Sequence, residues 1–190
     1  MPSVTAQKNA LRKKILEARK NFDESRYFEN NEIICQKLLK LINSLIIDKP
    51  NCCIGIYYPL QGEPNLLKLL FLIDQHFALP VVLDESIEFV KYFPGQGLEQ
   101  TNFKGLYQPI KKTSVIPDII IIPALSFDTS GYRLGFGKGH HDKYFAAIKS
   151  VKTPTSIGVC FHDFLTDRLP FDEDDHKLTY IVTEKITVSL

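Results

Sequence analysis

Residues 117–144 read PDIIIIPALSFDTSGYRLGFGKGHHDKY. Four consecutive isoleucines, Ile119 to Ile122, leave no polar face. The strand they predict is therefore buried on both sides, as in a parallel sheet covered by helices. Directly after PDIIIIPALSF, Gly135, Gly137 and Gly139 alternate, with Arg133 and Lys138 among them, and HHDKYFAAIK predicts a helix. Glycines let a backbone approach a ligand closely, and two cations with a helix amino end suit phosphate. The loop leaves the end of the most buried strand, where ligands bind in an α/β sheet. It has neither the Gly-Lys-Ser/Thr of a P-loop nor the Gly-x-Gly-x-x-Gly of a dinucleotide fold. The residues alone leave two readings open: an anion site of unidentified ligand, or a surface turn that holds three glycines.

Outward from this stretch, helical and extended patterns alternate. Leu11, Ile15, Ala18 and Phe22 recur at spacings of four, three and four, which predicts an amphipathic helix from Ala6 to about Phe22. A second helical pattern runs from about Glu24 to Ile47, ahead of Pro50. CCIGIYYP reads as a buried strand, NLLKLLFLIDQH as a helix, and FALPVVL and IEFVKYF as two strands. The stretch from Pro94 to Pro117 reads as irregular, and TSIGVCF and LTYIVT close the chain as strands. This alternation predicts a three-layer αβα fold with a mostly parallel sheet, in one domain spanning residues 1–190.

Bulk properties exclude several functions. At 190 residues with a formal charge of +1, the chain has no global field for nucleic acid or acidic membranes. Nothing approaches the roughly 20 apolar residues of a membrane helix. The amino-terminal stretch lacks a secretory apolar region, although it is basic and acid-free in the manner of a transit peptide. Cys35, Cys52, Cys53 and Cys160 show no Cys-x-x-Cys spacing, so they read as buried thiols in a reducing cytoplasm.

Other candidate residues have an ordinary role beside a functional one. Lys8 and Arg12, four apart, share a helical face that is either solvated or anion-binding. Asp142 either stabilises a helix amino terminus or holds a Mg²⁺ ion that bridges phosphates. Glu63 sits in a loop after a strand, a place for binding residues, and equally could open the next helix. His140 and His141 are adjacent and diverge on a helix, so they make no zinc site. His162, Asp163, Asp167 and His176 lie near strand ends without a triad pattern.

Taken together, residues 117–145 resemble the signature of the 5-formyltetrahydrofolate cyclo-ligase family: a Pro-Asp strand, Pro-x-Leu-x-Phe-Asp, Gly-x-Arg-Leu-Gly-x-Gly-x-Gly and a following aspartate. KNALRKK, YYPLQGE, the Gln-Pro of GLYQP, IGVCF and IVTEK extend the likeness over nearly the whole chain. It begins at about Lys8, which leaves too little ahead of it for a transit peptide. The resemblance implies a sugar-isomerase and CoA-transferase type of α/β fold, with ATP and Mg²⁺ as cofactors. It implies that Lys8 and Arg12 contact ATP phosphates, that Arg133, Gly135, Gly137, Lys138 and Gly139 form the nucleotide loop, and that Asp142 binds Mg²⁺. Arg133 and Lys138 become the candidate catalytic cations, and Tyr58, Glu63, His140 and His141 the candidate substrate contacts.

The implied reaction phosphorylates the formyl oxygen of 5-formyltetrahydrofolate, giving an iminium phosphate that N10 attacks to close the 5,10-methenyl ring. Catalysis of that kind is mainly positioning and charge stabilisation. The expected partner is a small folate, polyglutamylated or not, bound by a monomer. A non-catalytic nucleotide- or pterin-binding paralogue and a sugar-phosphate isomerase are the competing readings. The family usually has two tyrosines where this chain has His140 and His141, which predicts an altered or pH-sensitive pterin affinity. Phe164 stands where many members have glutamine, and Lys177 where aspartate often follows the histidine.

Overall fold

The computed structural model describes residues 2–20, 26–103, 105–110 and 113–190. Its centre is a seven-stranded sheet ordered β12-β11-β9-β6-β1-β2-β3. The strands are β1 (Cys53–Gly55), β2 (His76–Val82), β3 (Ile87–Tyr92), β6 (Ile119–Pro123), β9 (Thr155–Val159), β11 (Tyr180–Val182) and β12 (Thr187–Ser189). The five inner strands run parallel; β3 and β12 pair antiparallel at the two edges. Ile119 to Ile122 are at most 1% exposed, as their unbroken apolar run requires. Asp118, just ahead of them, accepts the Cys53 N–H at 2.8 Å and lies 2.7 Å from Lys152 Nζ, which ties β6 to β1 at its start.

Helices cover both faces. α1 (Val4–Lys20), α2 (Tyr27–Ile46), α3 (Leu69–Leu72) and α4 (His140–Ile148) follow in chain order. From β1 the chain passes through α3 to β2, and from β6 through α4 to β9, in opposite directions along the sheet. Right-handed crossovers in opposite directions put α3 and α4 on opposite faces. α2 packs with α3 and β11, whereas Tyr144 of α4 meets Phe89 of β3 with ring centroids 5.2 Å apart. The strand order reverses between β1 and β6, and the loops that follow these two strands diverge around a crevice.

Several sequence expectations change. The NLLKLLFLIDQH helix is only the single turn α3, because His76 already belongs to β2 and donates its N–H to the Cys52 carbonyl. The irregular stretch after Pro94 contains an antiparallel ribbon, β4 (Leu98–Gln100) with β5 (Tyr107–Pro109). PDIIIIPALSF does not stay one strand. It breaks after Pro123, and β7 (Ser126–Asp128) joins a separate three-stranded sheet with β8 (Arg133–Leu134) and β10 (Leu165–Thr166). The fully buried Asp128 organises that turn by accepting the N–H groups of Ser130, Tyr132 and Leu169.

On α1 the apolar stripe packs only in part, with Ile15 against the core. Leu11 and Ile15 are half-buried and Ala18 is exposed, while the buried residue is Lys8. The expected helix end at Phe22 and helix start at Glu24 lie outside the described residues.

Candidate active site

α1 crosses the carboxyl ends of the inner strands and brings its cationic face to the glycine loop. Arg12 Nε donates to the Gly135 carbonyl at 2.9 Å, and Nη1 to Asn9 Oδ1 at 2.6 Å. Gly137, at φ +102°, lies where a side chain would adopt a strained backbone and press on the Arg12 guanidinium. Gly139, at φ +66°, is the amino-terminal cap of α4 and supplies no side chain to its first turn. The N–H groups there keep hydrogen-bonding capacity for an anion.

Lys8, Arg12, Arg133, Gly135, Gly137, Gly139 and Asp142 line one cavity of about 680 Å³. Six of the seven residues expected to hold the nucleotide thus converge, with the expected metal ligand beside them. Lys138, the seventh, is exposed on the same loop and makes no hydrogen bond or ion pair with a described residue.

These cations are not waiting bare. Lys8 Nζ lies 2.9 Å from Asp172 and 2.5 Å from Asp175, and Asp174 lines the same cavity. Burial alone would depress the Lys8 ammonium, but its bonds to Asp175 and Asp172 outweigh that and hold it above its ordinary value. Arg133, 9% exposed, donates Nη1 to the His176 carbonyl at 2.9 Å and Nη2 to Asp142 Oδ1 at 2.5 Å. Asp142 Oδ1 also accepts the His176 N–H at 2.9 Å. Both ends of the Arg133 fork are therefore engaged, which makes it an anchor for Asp142 and leaves Lys138 as the loop's unpaired cation.

The expected substrate contacts do not share that cavity. Tyr58 is half-buried against Tyr107 of the ribbon, with ring centroids 5.0 Å apart. Glu63, 2% exposed, does not open a helix; its Oε2 accepts the Leu60 N–H at 2.9 Å within its own loop. Desolvation raises its carboxyl to about 7, against the pull of that N–H and of the Arg19 charge. His140 and His141 are half-buried at the start of α4. Burial lowers both imidazoles, helped by Lys143 and Lys138 at His140 and by Arg133 and His140 at His141, the latter to about 3. Burial thus favours the neutral form of both rings, most strongly at His141, which works against a pH-sensitive pterin affinity arising from their titration.

Two features went unread in the sequence. Asp172 and Asp175 lie far from Lys8 along the chain, and nothing local marks them as its partners. Arg19 was legible in principle, because it follows Arg12 by seven residues and so shares its helical face. It closes the crevice between β1 and β6, donating Nη2 to the Ala124 and Leu125 carbonyls at 2.5 and 3.2 Å.

The fold and site together define an α/β protein with a glycine loop, flanked by cations, at the carboxyl ends of its parallel strands. Residues 4–184 match the model of the 5-formyltetrahydrofolate cyclo-ligase family, and the chain belongs to that family. It is 30% identical to the 5-formyltetrahydrofolate cyclo-ligase of Mycoplasma pneumoniae over 87% of this chain and 93% of that one. It is 29% identical to the Mycolicibacterium smegmatis enzyme of the same name, over 94% of each. The NMR structure of Aquifex aeolicus 5,10-methenyltetrahydrofolate synthetase superposes with a TM-score of 0.75 at 30% identity, covering 96% of this chain and 92% of that one.

Proposed function

We propose that this chain converts 5-formyltetrahydrofolate to 5,10-methenyltetrahydrofolate in an ATP-dependent ring closure. The observation that carries the reading is the convergence of Lys8, Arg12 and Arg133 on the 135–139 loop, in a chain the family model spans almost completely. A nucleoside triphosphate fits this cavity through Lys8, Arg12 and Arg133, glycines that admit phosphate closely, and an uncapped helix amino end.

When bound, ATP supplies the phosphoryl group that turns the formyl oxygen into a leaving group for closure by N10. The chain's own part is to bind, orient and neutralise. Lys8 and Arg12 hold phosphate oxygens from the α1 side, and the loop N–H groups do so from the other. Lys138, exposed and unpaired, is the cation able to follow the transferring group. Arg133 keeps the loop's base charged and fixes Asp142. Preorganised charge of this kind, rather than a protein nucleophile, is what phosphoryl transfer requires.

No group of three or more His, Cys, Asp or Glu able to hold a metal is present among the described residues. Mg²⁺ nonetheless fits, because it takes most of its ligands from phosphate and water and needs only one or two carboxylates. Asp142, with Asp172, Asp174 and Asp175 lining the same cavity, offers them.

Tyr58, Glu63, His140 and His141 receive the folate. Two histidines in the place of tyrosines, their neutral forms favoured by burial, alter the shape of that contact. Among the described residues no helix is long and apolar enough to cross a membrane. The four cysteines are buried and unpaired, as suits the reducing cytoplasm, where the chain works as a monomeric single-domain enzyme (residues 1–190) on a folate with or without a polyglutamate tail.

The test is the near-ultraviolet absorbance of the methenyl product, with 5-formyltetrahydrofolate and Mg²⁺ present and ATP added or withheld. A rise that needs ATP is expected. Folded protein that binds ATP without any rise would establish the non-catalytic paralogue instead.

A further inference from the structure

Beyond the nucleotide cavity, α1 reaches a second one of about 370 Å³, lined by Arg19, Tyr27, Pro59, Leu60, Gln61 and Gly62 among others. Arg12 and Arg19 are two turns apart, roughly 10 Å along the helix, so one rigid element serves both cavities. The second cavity lies against the loop that carries Glu63.

That loop is held largely by side chains, because no strand ladder satisfies its backbone. The Tyr27 hydroxyl donates to the Glu63 carbonyl at 3.1 Å, and the Tyr57 hydroxyl to the Pro64 carbonyl at 2.7 Å. Asn31 exchanges two hydrogen bonds with the Asn65 backbone. Gly62 adopts φ +78° and packs on the Arg19 stem, where an added Cβ would sit 3.5 Å from Cδ. Arg19 itself is fixed at its far end by the Ala124 and Leu125 carbonyls, with Cζ 4.9 Å above the Phe164 ring. Its Nε and Nη1 are buried and have no acceptor among the described residues. Burial without acceptors is uncommon for donors of this strength and calls for a partner.

We infer that Arg19 is a positioning residue of the folate site, which braces the 59–63 loop and supplies a counter-charge to the buried Glu63 carboxylate. The inference rests on the reading of Glu63 as a folate contact. A pterin presents an edge of N–H donors, and only an ionised carboxylate accepts two of them at once. Desolvation works against that ionisation and the Arg19 charge works for it. The other titratable groups around the carboxyl are Tyr27 and Tyr57, with Cys35 and Cys160 further round Tyr57. All four carry no charge in their neutral forms, and burial raises each of their pKa values. That leaves Arg19 as the charged group in this set.

The experiment is calorimetric titration of 5-formyltetrahydrofolate without ATP, from pH 5.5 to 8.5, on wild type, Arg19→Met, Arg19→Lys, Glu63→Gln and the double variant Arg19→Met with Glu63→Gln. Wild-type affinity is expected to fall as pH drops through the Glu63 transition. Arg19→Met moves that midpoint to higher pH and weakens binding at pH 7 about five-fold, because a rise of about one pKa unit cuts the ionised fraction there from roughly one half to roughly one tenth. Arg19→Lys, which keeps the charge and guards against a folding defect, retains most of the affinity. Glu63→Gln abolishes the pH dependence and makes the added Arg19→Met change nearly silent, and nucleotide affinity stays unchanged throughout. An unshifted midpoint in Arg19→Met, a loss that persists in full on Glu63→Gln, or a parallel loss of nucleotide affinity overturns the inference. Because the titration needs no turnover, wild type that binds the folate with this pH profile yet forms no product refutes the proposed reaction and leaves the role of Arg19 standing.

Discussion

Arg133 Nη2 donates to Asp142 Oδ1 at 2.5 Å, across nine residues that include the whole glycine loop. The pair closes the base of the loop, and the His176 backbone joins it from both sides, accepting from Arg133 and donating to Asp142. The loop that carries the proposed chemistry therefore leaves the β7–β8 ladder at Arg133 and is closed at its other end by this charge pair.

Removing one partner tests that support. The side chains of Arg133 and Asp142 are 6% and 24% exposed, so Asp142→Ala leaves a buried guanidinium uncompensated. The expected loss is about 3 kcal/mol, read as a lower urea midpoint. Asp142→Asn, which still accepts the His176 N–H, should lose less. A loss below about 0.5 kcal/mol for Asp142→Ala, the range of ordinary surface changes, would show that the pair does not hold the loop.

Lys138 predicts the opposite combination. It is exposed and makes no hydrogen bond or ion pair with a described residue, so Lys138→Ala should shift stability by no more than about 0.5 kcal/mol. Turnover should fall by at least about 100-fold, the scale on which lost transition-state donors act. Thermal melts beside initial rates separate the two effects, and near-normal turnover would remove Lys138 from the mechanism.

Asp175 competes with phosphate for Lys8. Lys8 lies 2.5 Å from Asp175, and nucleotide phosphates need the same ammonium. With Mg²⁺ chelated, Asp175→Asn should bind ATP about five-fold more tightly, equivalent to roughly 1 kcal/mol. Calorimetry checks this, and weaker binding of metal-free ATP by the variant would mean that Asp175 orients Lys8 rather than withholding it.

Glu63 makes stability depend on pH in a stated direction. Its carboxyl is raised from 4.5 to about 7 by burial, so the folded chain holds its proton more tightly than the unfolded one. That contribution is fully present below pH 4.5 and is lost as pH rises through 7. Glu63→Gln should therefore match wild type near pH 4.5 and exceed it above pH 8, by on the order of 3 kcal/mol. Urea midpoints at the two pH values decide it; an equal offset at both would show that the carboxyl does not titrate with folding.

How much of this was legible depended on whether the cause was local. The isoleucine run and the α4 pattern each carry their cause within a few residues, and each became the buried strand or helix its pattern predicts. Where a long-range partner set the outcome, the pattern misled. α3 is one turn because β2 claims His76, and the strand at Ile119 ends early because Leu125 pairs with Leu134 and Arg19 takes the Ala124 carbonyl.

The sequence by itself determined an α/β sheet with a fully buried central strand and a glycine-rich loop after it, because burial periodicity and glycine conformation are short-range properties of the chain. Only the tertiary structure decided which charges meet. Lys8 finds Asp172 and Asp175 across 164 and 167 residues, and Arg19 reaches the end of β6 across 105. Folding decides such pairings because a charge's energy depends on what lies within a few ångströms of it in space, and on how much water has been removed from around both partners.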